Sequence, residues 1–149
     1  MKNYSSLLVP VDFSNCSMKS VDYGVDFGLR YGAVVHLLFV VEPIETFVSI
    51  NGMEQSVYVD MVRSVREQGE IRLNGLAAEL RGKGLSVVAS VCEGKPSEEI
   101  LDYAKKNAIE LICISTHGRS GLNHFLLGST TERILRKAEC PVFVIRTKE

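Results

Sequence analysis

The chain has 149 residues, 46% of them hydrophobic and 23% charged, with a formal net charge of −1. That size suits a single domain with a substantial core, and the near-neutral charge argues against a broad basic face for nucleic acid or an anionic membrane. The opening MKNYSSLLVPVDFS breaks its short apolar run at Pro10 and Asp12. It reads as neither a secretory signal nor a membrane span, so the cytoplasm is the expected location. Cys16, Cys92, Cys113 and Cys140 are scattered, without a CxxC pair or a histidine at ligand spacing. They read as reduced, mostly buried thiols, and no protein-held metal is expected.

In chain order, residues 6–11 are apolar on both faces and read as a buried parallel strand ending at Asp12. Ser14 or Asn15 can cap a following helix, with Met18, Val21, Val25, Gly28 and Leu29 on its inner face and Gly32 as its stop. Residues 34–41 form a second apolar strand, interrupted only by His36. Residues 42–56 carry no clean periodicity. A long helix follows over 57–81, with Met61, Val65, Leu73, Leu76 and Leu80 as the expected buried stripe. Residues 85–92 are a third strand rich in β-branched side chains. Pro96 then opens a helix that has Glu98 and Glu99 at its positive end and Ile100, Leu101 and Ala104 inward.

Residues 111–115 make the fourth strand, 129–138 the last helix with Ile134 and Leu135 inward, and 141–146 (PVFVIR) the fifth strand. The βαβαβαβαβ order implies one domain over 1–149, with a mainly parallel sheet between two helical layers: a three-layer α/β/α fold. Such sheets bind ligands beyond the C-terminal strand ends, where strand order reverses. Asp12 and the segment after strand four both lie at such ends.

The segment His117 to Gly128 is twelve residues long, against about 2–6 for most strand-to-helix connections. Gly118, Gly121 and Gly128 punctuate it, and Ser129 and Thr130 stand where a helix begins. Glycines let backbone approach a ligand, and free N–H groups at a helix start attract anions, so a phosphate cradle is one reading and a plain connection the other.

LLVPVDFS, GKPSEEI, STHG–x9–GST and ECPVFVIR, in this order over nearly the whole chain, resemble the universal stress protein family. The resemblance implies a five-stranded parallel sheet of order 3-2-1-4-5, Rossmann-like in the manner of the adenine nucleotide alpha hydrolases. ATP-binding members carry G–x2–G–x9–G–(S/T). Gly118, Gly128 and Ser129 match that motif, while Ser115 replaces its first glycine. Serine there is harmless at negative φ and strained at positive φ.

By the same resemblance Asp12 would hold the ribose hydroxyls. Pro10, Val11 and Val40 would touch adenine, and Ile114, Ser115 and Thr116 would line the ribose and phosphate side. The N–H groups of Gly118, Gly128, Ser129 and Thr130 would hold phosphate oxygens, with His117 beside them. The implied ligand is ATP, or ADP or AMP, with Mg2+ carried through the phosphates. The implied assembly is a homodimer through the last strand.

Simpler roles stand beside these. Asp12 can cap the first helix or bind loop amides, Ser129 and Thr130 can cap a helix, His117 can make one backbone bond, and PVFVIR can be a sheet edge. His36 reads as a strand-edge residue. The function expected is a nucleotide-binding stress-response module acting on an unknown protein partner. Slow ATP hydrolysis at the same site, or a nucleotide-free dimeric adaptor, are the alternatives. No Walker-type G-x-x-x-x-G-K-[ST] run and no convincing base point to a dedicated enzyme.

Overall fold

The computed structural model describes residues 3–43, 55–116 and 127–146. Five strands, β1 (Ser6–Pro10), β2 (Val34–Val41), β3 (Val87–Glu93), β4 (Leu111–Ser115) and β5 (Val142–Ile145), form one sheet of order β3-β2-β1-β4-β5. Every pairing is parallel. Four helices lie in the described residues: α1 (Asn15–Tyr31), α2 (Gln55–Gly82), α3 (Pro96–Lys106) and α4 (Ser129–Lys137). The expected class and strand order are both found.

The core divides by strand alternation. Leu7, Val9, Val35, Leu37, Phe39 and Cys113 face α1 and α2. Leu8, Leu38, Ile112 and Ile114 face Ile100 and Ala104 of α3 and Ile134 of α4. The continuously apolar strands follow from this, because successive side chains point to opposite, covered faces.

α1 departs from the expected packing. Its buried face is small: Ser17, Ser20, Val21, Gly24 and Gly28, while Leu29 is 54% exposed. A Cβ on Gly24 would stand 2.7 Å from Val9 Cγ2, and one on Gly28 would stand 2.6 Å from Leu85 Cδ2. The helix therefore lies closer to the sheet than a leucine stripe would permit. Val21 is buried and Met18 and Val25 pack against the core as expected, while Leu29 turns outward. Ser14 caps it by accepting from the Ser17 N–H, and Gly32 closes it at φ 64°.

α2 differs too. Leu73, Ala77 and Leu80 are buried as a helical stripe should be, but Met61 is 44% and Val65 38% exposed. In α4, Thr131 and Ile134 are buried and Leu135 is turned out, so the inner face lies one residue earlier than the apolar pair suggested. His36 sits in β2, between β1 and β3, and not at a sheet edge.

Candidate functional site

The order β2-β1-β4 places the reversal of strand order between β1 and β4. Beyond their C-terminal ends lies a cleft of ≈ 750 Å³. Such a volume falls within the usual range for small-molecule sites, about 300–1,000 Å³. Of the residues singled out from the sequence, Pro10, Val11, Asp12, Val40, Ile114, Ser115, Gly128, Ser129 and Thr130 line it. Thr116 does not line it among the described residues. Its N–H goes to the Ile145 carbonyl at 3.1 Å, and its carbonyl accepts from the Gly128 N–H at 2.9 Å. His117, Gly118 and Gly121 lie outside the described residues.

Asp12 lies two residues beyond Pro10, the last residue of β1, and is held by the start of α1. Its Oδ1 accepts from the Ser14 N–H at 2.9 Å and from the Ser14 hydroxyl at 2.6 Å. The Asp12 N–H donates to Ser17 Oγ at 3.3 Å. Phe13 takes up φ 62° to make this turn, and its ring packs between Phe39 of β2 and the Arg72 guanidinium of α2, which lies 4.1 Å from the ring centroid. A β-branched or bulky residue at positive φ carries strain, so these contacts on both sides of the ring hold a costly backbone in place. The loop-binding role of Asp12 is thus present, and the residue also lines the cleft.

At the other side, Gly128 is the N-cap of α4 with φ −60° and has no side chain to close the first turn. The first intrahelical bond runs from the Glu132 N–H to the Gly128 carbonyl at 2.9 Å. The N–H groups of Ser129, Thr130 and Thr131 are thereby left as the helix's uncapped donors among the described residues. Expected capping by the Ser129 and Thr130 hydroxyls is replaced by this bare start, because these residues occupy the first and second helical positions. The Gly128 N–H, assigned to a phosphate by the resemblance, is taken by Thr116 in this structure. Thr131, unremarked in the sequence, donates its hydroxyl to the Ser115 carbonyl at 2.8 Å and ties α4 to β4.

Ser115 is buried in β4 and is not among the residues with positive φ, so the serine in place of a motif glycine costs no backbone strain. Val40 owes its place to register. The Val11 N–H donates to the Leu38 carbonyl at 2.8 Å, and the β1–β2 register ends at Pro10–Leu38. Val40, two residues on, presents its own N–H and C=O to the same side, past the end of β1.

The cleft has a wall that the sequence reading missed: Tyr58, Met61, Val62 and Val65 of α2. The sequence reading places Met61 and Val65 in the buried stripe and gives Tyr58 and Val62 no reading of their own.

Two thiols near the sheet are unsuited to nucleophilic chemistry. Burial pushes Cys113 up to about 12. Burial, then the neighbouring Glu99 carboxylate, raises Cys92 to about 11 despite the opposing charge of Arg66. No group of three His, Cys, Asp or Glu side chains is placed to hold a metal ion among the described residues. Nor is any helix there long and apolar enough to cross a membrane.

Comparison with known proteins agrees with this architecture. Universal stress protein YxiE of Bacillus subtilis is 29% identical over 147 residues, covering 96% of this chain and 99% of that one. The solved structure of the MJ0577 protein superposes with a TM-score of 0.85 at 26% identity, covering 99% of both chains. A universal stress protein family protein from Arabidopsis thaliana, solved with AMP bound, shares the fold with a TM-score of 0.68 at 17% identity, over 97% of this chain and 92% of that one. The model of the universal stress protein family matches residues 3–146, strand ends, helix starts and cleft included, and the chain belongs to that family.

Proposed function

We propose that this protein is a nucleotide-responsive binding module that takes ATP, or the related ADP or AMP, at the β1/β4 cleft. The observation that carries the reading is the convergence of the Asp12 carboxylate and the uncapped start of α4 on one cleft at the strand-order reversal. A carboxylate can accept from vicinal ribose hydroxyls, and a helix start offers N–H donors and a positive dipole end to phosphate. The N–H and C=O of Val40 match the edge of adenine, whose N1 accepts and whose N6 amino group donates. The AMP-bound Arabidopsis neighbour is consistent with an adenine nucleotide on this fold.

Magnesium would enter on the phosphates rather than on a cage of protein ligands, since it keeps most of its waters and binds few side chains. In this reading the protein acts in the cytoplasm in the stress response, as a homodimer through β5, and occupancy of the cleft is the signal. A partner protein must then distinguish the occupied from the empty state, because equal affinity for both shifts nothing.

The test is to purify the protein without added nucleotide, denature it and identify what is released by mass spectrometry. Calorimetric titration with Mg–ATP, Mg–ADP and AMP follows. Adenine nucleotide near one per chain, or saturable binding on titration, is expected. A blank extract with no binding of any of the three would falsify the reading.

A further inference from the structure

Most of the apolar side chains in the first half of α2 are exposed: Val57, Val59, Met61 and Val65. Gly69 lies directly on the Phe39 ring, where a Cβ would stand only 2.1 Å from Cε1. From that contact β2 continues just two residues, to Val41, a rise of about 7 Å, while α2 extends back eleven residues to Tyr58, about 16 Å. A helix leading back from the C-terminal end of one strand to the start of the next runs opposite to the strands, so this half overhangs the sheet edge by roughly 10 Å. Along it Tyr58, Met61, Val62 and Val65 fall at spacings of three and four, one helical face, and all four line the cleft. Val62 alone packs partly against the core. Met61 and Val65 remain exposed, which is costly for apolar side chains unless something covers them.

We propose that this overhanging stripe is the second wall of the base slot, taking the face of a purine while the strand ends take its edge. The proposal rests on the nucleotide reading above and adds residues that neither the motif nor the resemblance assigned. The occupant is fixed by continuity. The same cleft runs from the uncapped start of α4 and from Asp12, both suited to the polar parts of a nucleotide, to an apolar stripe that offers no charged or amide side chain. What remains of a nucleotide once ribose and phosphate are placed is a flat aromatic ring. A tyrosine ring, a polarizable thioether and a branched aliphatic suit its face without reading its edge. Stacking of this sort tolerates any base, so the α2 wall supplies grip, and choice among bases falls to the backbone of Val40.

The experiment separates base from phosphate. The chain has no tryptophan, so Tyr58→Trp introduces a reporter without background. Mg–ATP should change its emission and inorganic triphosphate should not. Met61→Ser/Val65→Ser, at exposed positions, should melt like the parent and weaken ATP by about tenfold or more, while leaving inorganic triphosphate affinity unchanged. If the parent binds ATP but the double variant binds it equally well and the reporter is silent, the wall is overturned and the nucleotide reading stands. If the parent binds triphosphate as tightly as ATP, no base is gripped, and the wall is overturned with the phosphate cradle intact. If the parent binds neither, both readings fall.

Discussion

The two ends of the sheet are built from the same backbone groups and treated in opposite ways. At the N-terminal end the chain consumes its own polar atoms. The Ser5 N–H and hydroxyl both donate to Glu110 Oε2, at 2.6 and 2.9 Å. The Ser6 hydroxyl donates to the Ala108 carbonyl at 2.9 Å, and Arg81 donates twice to the Val87 carbonyl. At the C-terminal end the arrangement is concave, with the uncapped start of α4 and the Val40 backbone turned to the cleft. The strand-order reversal explains why. β2 and β4 lie on opposite sides of β1, with α1 and α2 on one face and α3 and α4 on the other, so no crossover covers the gap between them. One end is sealed for stability, and the other is left open to a ligand.

α2 spans both regimes, and substitutions along it should separate them. Gly69→Val forces a branched side chain onto the buried Phe39 ring and should destabilise the fold by about 2–3 kcal/mol, read by urea unfolding. Val65, one turn earlier, can be made serine with a change within about 0.5 kcal/mol. Equal losses at both positions would show that the overhang is packed after all. At the open end, Asp12→Ala should lower nucleotide affinity by about 1–3 kcal/mol on calorimetric titration, as expected for charge-assisted bonds to ribose. A role confined to the loop before α1, through Ser14, would appear instead as lost stability with affinity unchanged.

The sequence made the fold legible because each element announced itself in its own period, and βαβ connectivity leaves few topologies. It also made legible which residues stand at the C-terminal strand ends: of the described ones expected in the site, only Thr116 falls outside the cleft. Side-chain direction was harder. Leu29, Leu135, Met61 and Val65 read as core because hydrophobicity alone cannot show that α1 packs through glycines, or that α2 outruns β2. The distances that decide both, Gly28 to Leu85 and Gly69 to Phe39, are contacts between residues far apart in the chain. The overhang had one usable signal in retrospect. A helix of 28 residues is far longer than the strand it must pass, so part of it has to extend beyond the sheet.

Smaller effects test the sealed end and its neighbouring layer. Glu110→Gln keeps one acceptor but removes the charge from the two Ser5 bonds, and should cost about 0.5–1 kcal/mol. That loss should shrink in high salt. Ser20→Ala should move the other way. The Ser20 hydroxyl is fully buried with no hydrogen-bond partner among the described residues, so its removal should stabilise the protein by up to about 1 kcal/mol. A loss on thermal melting would mean that the hydroxyl is satisfied after all.

The smallest expected effect concerns His36. Its Nδ1 lies 3.0 Å from the Tyr103 hydroxyl, which lies 3.1 Å from Ser90 Oγ, so β2, α3 and β3 meet in one polar chain. Burial holds the imidazole below its ordinary value, with no carboxylate among the causes to oppose it. In the window between that lowered value and the unfolded value of about 6.5, the unfolded chain binds more protons than the folded one. Stability should therefore rise with pH through this window and fall as the solution is acidified across it. Because the ring is only half-buried, water screens the charge and the slope should be shallow. Carboxylates titrate nearby in pH, so the measurement is a difference: urea unfolding of the parent and of His36→Gln between roughly pH 5 and 7. The glutamine variant retains a polar partner for Tyr103 but cannot titrate, so its stability should vary less with pH than the parent's. Parallel curves would show that the imidazole is hydrated alike in both states, and that the polar chain through Tyr103 is open to water.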